Sequence, residues 1–132
     1  MSFLLDTHYV YGIAESPGTI SDEEADYLKS FSARLIVSSV SIWEVRLKWN
    51  TFHRSGARKG VASPSEVVRT LLGQPVDMLA LSAAHAAADL LVPLSHKDPF
   101  DELLLAQAQV EGLKLLSRDR QLIGHPLVAT IS

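Results

Sequence analysis

The stretch Asp98-Pro99-Phe100-Asp101-Glu102-Leu103-Leu104-Leu105-Ala106-Gln107-Ala108-Gln109-Val110-Glu111-Gly112-Leu113-Lys114-Leu115-Leu116-Ser117-Arg118-Asp119 decides how the chain is read. Aspartate followed by proline marks a helix start: the carboxylate caps free amides, and proline sits at N1, where its missing N–H is no loss. Phe100 to Val110 has helical composition, and Gly112 supplies the stop. Leu113 to Leu116, apolar except for Lys114, reads as a buried strand ending at Ser117-Arg118-Asp119. A helix thus delivers a strand whose carboxyl end carries an acid.

The same alternation runs outward to both termini. Leu4-Leu5 behind Phe3 reads as a buried strand, and Asp6-Thr7 opens a helical spacing through Val10, Ile13 and Ala14. Pro17-Gly18 breaks that helix, and Ser21-Asp22-Glu23-Glu24 resembles a capping box opening a second one to about Ser30. Leu35-Ile36-Val37 is another strand, after which Ser38 or Ser39 caps a helix carrying Ile42, Trp43, Glu44, Val45 and Leu47. Asn50 to Ser63, polar and glycine-punctuated, is the expected mobile loop, and Pro64-Ser65 starts a short helix ending near Gly73. Val76 to Leu81 suits a short strand. Ser82 caps an alanine-rich helix expected over Ala83 to Leu91, before Pro93, and Leu127 to Ile131 offers a last strand. Such alternation predicts an α/β fold with a parallel sheet between helices, whose ligand crevice lies beyond the carboxyl ends of the strands.

Composition narrows the class. With 132 residues, 47% of them hydrophobic and 20% charged, the chain suits one globular domain over 1-132. It has no cysteine, so disulfides and thiolate metal sites are excluded and a reducing cytoplasm is the expected compartment. The opening Met-Ser-Phe-Leu-Leu-Asp lacks the basic region of a signal peptide. The most apolar stretch, Met78 to Leu94, is interrupted by His85, Asp89 and Pro93, short of the roughly 18 apolar residues of a membrane span. A net charge of −3 gives no global attraction to nucleic acid, so any such contact depends on local patches or metal ions.

Four acids fall where that crevice is expected: Asp6 and Asp119 after strands, Glu44 and Asp101 in first turns of helices. Carboxylates gathered this way suit magnesium or manganese, which take oxygen ligands in octahedral geometry and acidify water for phosphodiester hydrolysis. Each also has a plain structural reading. Asp6 serves equally as an N-cap, Glu44 as a residue at the edge of an apolar stripe, and Asp119 as a turn aspartate paired with Arg118 or Arg120. Asp98 suits an N-cap best. Asp101 precedes a nearly all-apolar run, which places it at the inner end of a buried helix, where a carboxylate needs a partner. The group is more telling than its members, since convergent carboxylates repel unless a cation sits among them.

These residues resemble the PIN-domain ribonucleases, and among them the VapC-type toxins of toxin-antitoxin pairs. Leu4-Leu5-Asp6-Thr7-His8 is similar to the family's opening strand and first acid, and Ser39-Val40-Ser41-Ile42-Trp43-Glu44-Val45 to its second block. His96-Lys97-Asp98-Pro99-Phe100-Asp101, running into Leu103-Leu104-Leu105-Ala106-Gln107-Ala108, is the most specific block, and Leu115-Leu116-Ser117-Arg118-Asp119 supplies the fourth acid. The resemblance implies a PIN-like three-layer α/β/α fold with a central, mainly parallel sheet of four to five strands. It implies metal-binding, catalytic roles for Asp6, Glu44, Asp101 and Asp119, accessory roles for Thr7, Asp98 and Ser117, and Mg2+ or Mn2+ as cofactor. It further implies an RNA substrate, a cognate antitoxin and a homodimer. Glu102 departs from the arginine often found after the Asp-Pro-Phe-Asp segment, and Ser117 stands for a more usual threonine.

Between Glu44 and Glu66 there is no acid, while Arg46, Lys48, Arg54, Arg58 and Lys59 cluster near Trp49 and Phe52. This patch suits RNA phosphates and unstacked bases, and equally a solvated loop with its aromatics on the core. His8, His85, His96 and His125 show no metal-ligand spacing and read as structural or accessory. Tyr9, Tyr11, Ile13 and Tyr27 suit either an antitoxin groove or the core. Two other classes compete: a non-catalytic RNA- or protein-binding module on the same fold, and another magnesium-dependent phosphohydrolase, whose second aspartate two residues after the first is absent here.

Overall fold

The computed structural model describes residues 2–14, 18–30 and 34–131. In chain order the elements are β1 (Ser2–Leu5), α1 (Thr7–Ile13), α2 (Asp22–Ser30), β2 (Arg34–Ser38), α3 (Ser39–Trp49), α4 (Pro64–Leu72), β3 (Val76–Leu79), α5 (Ala83–Ala87), α6 (Pro99–Glu111), β4 (Lys114–Leu116) and β5 (Val128–Ala129). The strands form one sheet in the order β3-β2-β1-β4-β5, every pair parallel. Phe3 pairs with Leu35 on one side of β1, and Leu5 with Leu116 on the other.

Period-two alternation explains the layers. Phe3, Leu5, Leu35, Val37 and Leu116 face a core completed by Tyr9 and Val10 of α1, Leu28 of α2, Val45 of α3 and Val67 and Leu71 of α4. Leu4, Ile36 and Leu115 face the opposite core, with Leu104, Leu105 and Ala108 of α6. Strands buried on both sides must be apolar throughout, which is why these runs lack a polar face. The result is the expected α/β/α arrangement with a five-stranded, all-parallel sheet.

Local chemistry sets most boundaries. Ser38, rather than Ser39, caps α3, accepting from the Val40 amide; Ser63 caps α4, with Pro64 at N1. The Ser21–Glu24 capping box is reciprocal, each side chain bonded to the other's amide. Gly112 ends α6 with φ 69°, a left-handed conformation costly for residues with a Cβ. The predicted break at Pro17 lies outside the described residues.

Three expectations need correction. The alanine-rich helix stops at Ala87, not Leu91, because Gln109 of α6 accepts from the Leu91 amide and donates to the Asp89 carbonyl, giving an extended segment the partners a helix would have given. Strand β3 ends at Leu79, since the Leu81 amide bonds to Ser39 Oγ instead of a neighbouring strand. The last two strands are shorter than expected: β4 starts at Lys114 rather than Leu113, and β5 spans only Val128–Ala129 of Leu127 to Ile131. The segment between α3 and α4 folds back on itself through an antiparallel bridge between Phe52 and Arg58. Among the described residues, no helix is long and apolar enough to cross a membrane.

Candidate active site

Strand order makes the location of the site a matter of topology. From β1 the chain moves to β2 and β3 on one side, then returns to β4 and β5 on the other, so the switch point lies between β1 and β4. Connections leave in opposite directions there and open a crevice at the carboxyl ends. Asp6 follows β1 directly, its amide bonded to the Leu116 carbonyl of β4, and Ser117 follows β4.

Five carboxylates line one cleft of about 380 Å3 at this edge: Asp6, Glu44, Asp98, Asp101 and Asp119, with Thr7, His8, Tyr11, Lys48 and Arg118 between them. Asp6 is the N-cap of α1, with Oδ1 accepting from the Thr7 amide at 2.8 Å and Oδ2 from the Ser117 hydroxyl at 2.6 Å. Glu44 projects from the second turn of α3, not the first as expected, its Oε1 accepting from Thr7 Oγ1 at 2.9 Å and its Oε2 from Lys48 Nζ at 2.9 Å. Asp98 caps α6, accepting from the Phe100 and Asp101 amides, which holds Asp101 at N3 with Oδ2 2.9 Å from His96 Nε2. Asp119 accepts from the Gln121 amide, while its own amide donates to Ser117 Oγ. Ser117 thus links the first and last acids.

Electrostatics shows that the acids sense one another. Burial pushes the Asp6 carboxyl up to about 6, opposed by its bonds from Ser117 and Thr7 and reinforced by the charges of Asp101 and Glu44. Asp101 is also raised, by burial first, against the His96 hydrogen bond and with help from Asp98 and Asp119. Among the described residues, no three His, Cys, Asp or Glu side chains are drawn together as a closed ligand set. Lys48 pairs with Glu44 and His96 with Asp101, so each compensates one carboxylate of the cleft. The donors are all oxygens on a repelling cluster, which fits a hard divalent cation and suits no soft metal.

The structure therefore brings together Asp6, Glu44, Asp101 and Asp119, with Thr7, Asp98 and Ser117 beside them. It divides the basic patch. Lys48 lines the cleft, whereas Arg46 stacks over Trp43 at 5.0 Å, and Arg58 covers Trp49 at 4.2 Å and Phe52 at 4.8 Å. Arg54 and Lys59 lie exposed on the loop. Arg118 pairs with Glu24 at 2.7 Å, not with Asp119. Tyr9 and Tyr11 are buried, Tyr9 donating to Glu24 at 2.7 Å. Sequence reasoning did not place His96 on Asp101, nor His8 and Tyr11 in the cleft. The spacing of Tyr11, four residues after Thr7 on one helix, was the available sign.

Comparison with known proteins agrees with the fold. The family model described as PIN domain matches residues 3–125. No curated protein matches the chain. A chain of VapBC2 from Rickettsia felis, bound to a DNA fragment from its promoter, superimposes with a TM-score of 0.65 at 15% identity, covering 100% of both chains. A toxin-antitoxin complex from Klebsiella pneumoniae gives a TM-score of 0.62 at 20% identity over 97% of this chain and 96% of that one. DNA-bound VapBC from Salmonella typhimurium gives 0.61 at 14% identity over 99% and 97%. At these identities the likeness is one of fold.

Proposed function

The chain belongs to the PIN-domain family, and from that premise we propose that it is a metal-dependent endoribonuclease, the VapC-type toxin of a toxin-antitoxin pair, with Asp6, Glu44, Asp101 and Asp119 as its catalytic acids. The observation that carries the reading is a buried Asp6 at the switch point of a parallel sheet, its carboxyl raised to about 6 where Asp101 and Glu44 press on it. Such a cluster is relieved by a cation and is otherwise a cost to the fold.

Asp6, Asp101, Glu44 and Asp119 would hold Mg2+ or Mn2+. When bound, a cation of this class neutralises phosphate charge in the transition state and acidifies water. The chain's own part is orientation. Ser117 and the Thr7 amide fix both oxygens of Asp6, the Thr7 hydroxyl fixes Glu44, and Asp98 sets the turn that presents Asp101. Lys48 pairs with Glu44 and lies in the cleft, where an RNA phosphate would meet it.

The solved structures the chain resembles are toxin-antitoxin complexes, which supports a cognate antitoxin as partner. An acidic cleft suits inhibition by a basic side chain delivered by that antitoxin. A homodimer in a reducing cytoplasm completes the reading.

Purified chain freed of any antitoxin, incubated with total cellular RNA and magnesium or manganese, should release discrete fragments. EDTA should abolish them, and Asp101→Asn should reduce them by about 100-fold or more, the scale of losing one preorganised electrostatic group. Undiminished cleavage by Asp101→Asn sinks the site. No cleavage by folded, metal-supplied protein across RNA pools leaves a binding module on this fold.

A further inference from the structure

Of the twelve Lys and Arg in the chain, five lie between Glu44 and Glu66, where there is no acid, so a protein of net charge −3 keeps one strongly positive stretch. Its middle is built as a hairpin. Phe52 and Arg58 form an antiparallel bridge, the His53 amide donates to the Ala57 carbonyl at 2.8 Å, and Gly56 makes the turn with φ 90°. The stem is fastened to α3. The Thr51 and Gly60 amides each donate to the Lys48 carbonyl at 3.1 Å, and the Lys48 side chain lines the cleft.

This hairpin keeps its shape without a core of its own. Every residue from Asn50 to Lys59 is exposed. The Arg58 guanidinium lies over the rings of both Trp49 and Phe52 and donates to the Trp49 carbonyl. Phe52 is nonetheless 51% exposed, so much of its ring is open to solvent. A large apolar ring left half in water forgoes much of the stabilisation that burial would give it. Among the described residues, neither Arg54 nor Lys59 pairs with a carboxylate, whereas Arg34, Lys48 and Arg118 do. An open aromatic face beside uncommitted cations supplies the two parts of a single-strand surface, a platform for a base and charges for the backbone. Bases in a duplex already stack on one another, so such a platform favours an unpaired strand.

We propose that this hairpin is a track for single-stranded RNA running out of the cleft, one base stacking on Phe52 and the adjoining phosphates pairing with Arg54 and Lys59. The proposal rests on the nuclease reading above and adds the form of the substrate: RNA that is unpaired beside the bond to be cut.

The test is fluorescence anisotropy of the full chain carrying Asp101→Asn, with magnesium, against single-stranded RNA of randomised sequence. Two lengths are compared, about 4 and about 12 nucleotides, within the usual range of single-strand sites. Adding Phe52→Leu should weaken the longer RNA about tenfold, the scale of one base stacked on an aromatic ring, and leave the shorter unchanged. Phe52→Tyr should bind as its parent does. Arg54→Gln together with Lys59→Gln should flatten the dependence of log affinity on log salt by about 1.4, two phosphate contacts on a single strand. Both side chains are exposed and unpaired, so this double variant should melt with its parent. Equal losses on the two lengths, a loss in Phe52→Tyr as large as in Phe52→Leu, or an unchanged salt dependence overturns the track. Parallel cleavage of the longer RNA by the chain without Asp101→Asn separates the two readings. Cleavage with binding indifferent to Phe52 removes the track alone, and Phe52-dependent binding without cleavage removes the nuclease alone.

Discussion

Ser117 donates its hydroxyl to Asp6 Oδ2 at 2.6 Å, joining residues 111 positions apart across the seam between β4 and β1. Ser117 is fully buried, so nothing replaces the donor when it is lost. Ser117→Ala should cost about 1.5–3 kcal/mol at pH 7, the range for a hydrogen bond to a charged group. At pH 4, below the Asp6 value of about 6, the carboxyl is protonated and the cost should shrink. Urea unfolding at the two pH values checks this; equal losses would mean that Ser117 matters only for packing.

Asp6 is raised from 3.8 to about 6, so its folded form binds the proton more tightly than its unfolded form. Its contribution is therefore full below pH 3.8, declines as pH rises, and is lost above about 6. The span corresponds to at most about 3 kcal/mol. Asp6→Asn, measured in EDTA, should gain stability over the wild-type chain between pH 4 and 7, with no gain at pH 3. A wild-type chain that outlasts Asp6→Asn at pH 7 by the same margin as at pH 3 contradicts the assigned burial cost.

Metal should reverse that penalty. Manganese or magnesium at about 100 times its dissociation constant should stabilise the chain by about 2.7 kcal/mol. Asp101→Asn should lose most of this gain while folding normally, because it removes one donor from a repelling group. Thermal melts with and without the cation decide the matter. An equal shift in both proteins would place the ion elsewhere.

The segment between α3 and α4 offers a test independent of the acids. A Cβ on Gly60 would stand 2.8 Å from the main-chain N and Cα of Trp49, atoms that cannot yield. Gly60→Ala should cost about 1–3 kcal/mol by overpacking and shift Trp49 fluorescence. Arg58→Ala, which uncovers Trp49 and Phe52, should cost about 1 kcal/mol. Unchanged melting in Gly60→Ala would show that this segment does not pack on α3 as described.

What the sequence made legible was what local chemistry controls. Asp98, Pro99 and Gly112 bound α6 because caps and left-handed stops are decided within a few residues. The apolar runs at Leu4, Ile36 and Leu115 announced strands buried on both faces for the same reason. Position at a sheet edge then brought Asp6, Glu44, Asp101 and Asp119 into one cleft without knowledge of strand order. The end of α5 was illegible because Gln109, about twenty residues on, decides it. Lys48 was read with the loop cations although it sits four residues after Glu44, a spacing that pairs them on α3. His96 reaches Asp101 across the turn that Asp98 shapes, and no periodicity marks that contact.

The distance along the chain between Asp6 and Ser117 has a consequence in time. During synthesis Asp6 emerges 111 residues ahead of the hydroxyl that steadies it, and the acid at 119 later still. Until β4 slides in beside β1, the cleft has no second bank. No shortened product that stops before β4 assembles the cleft.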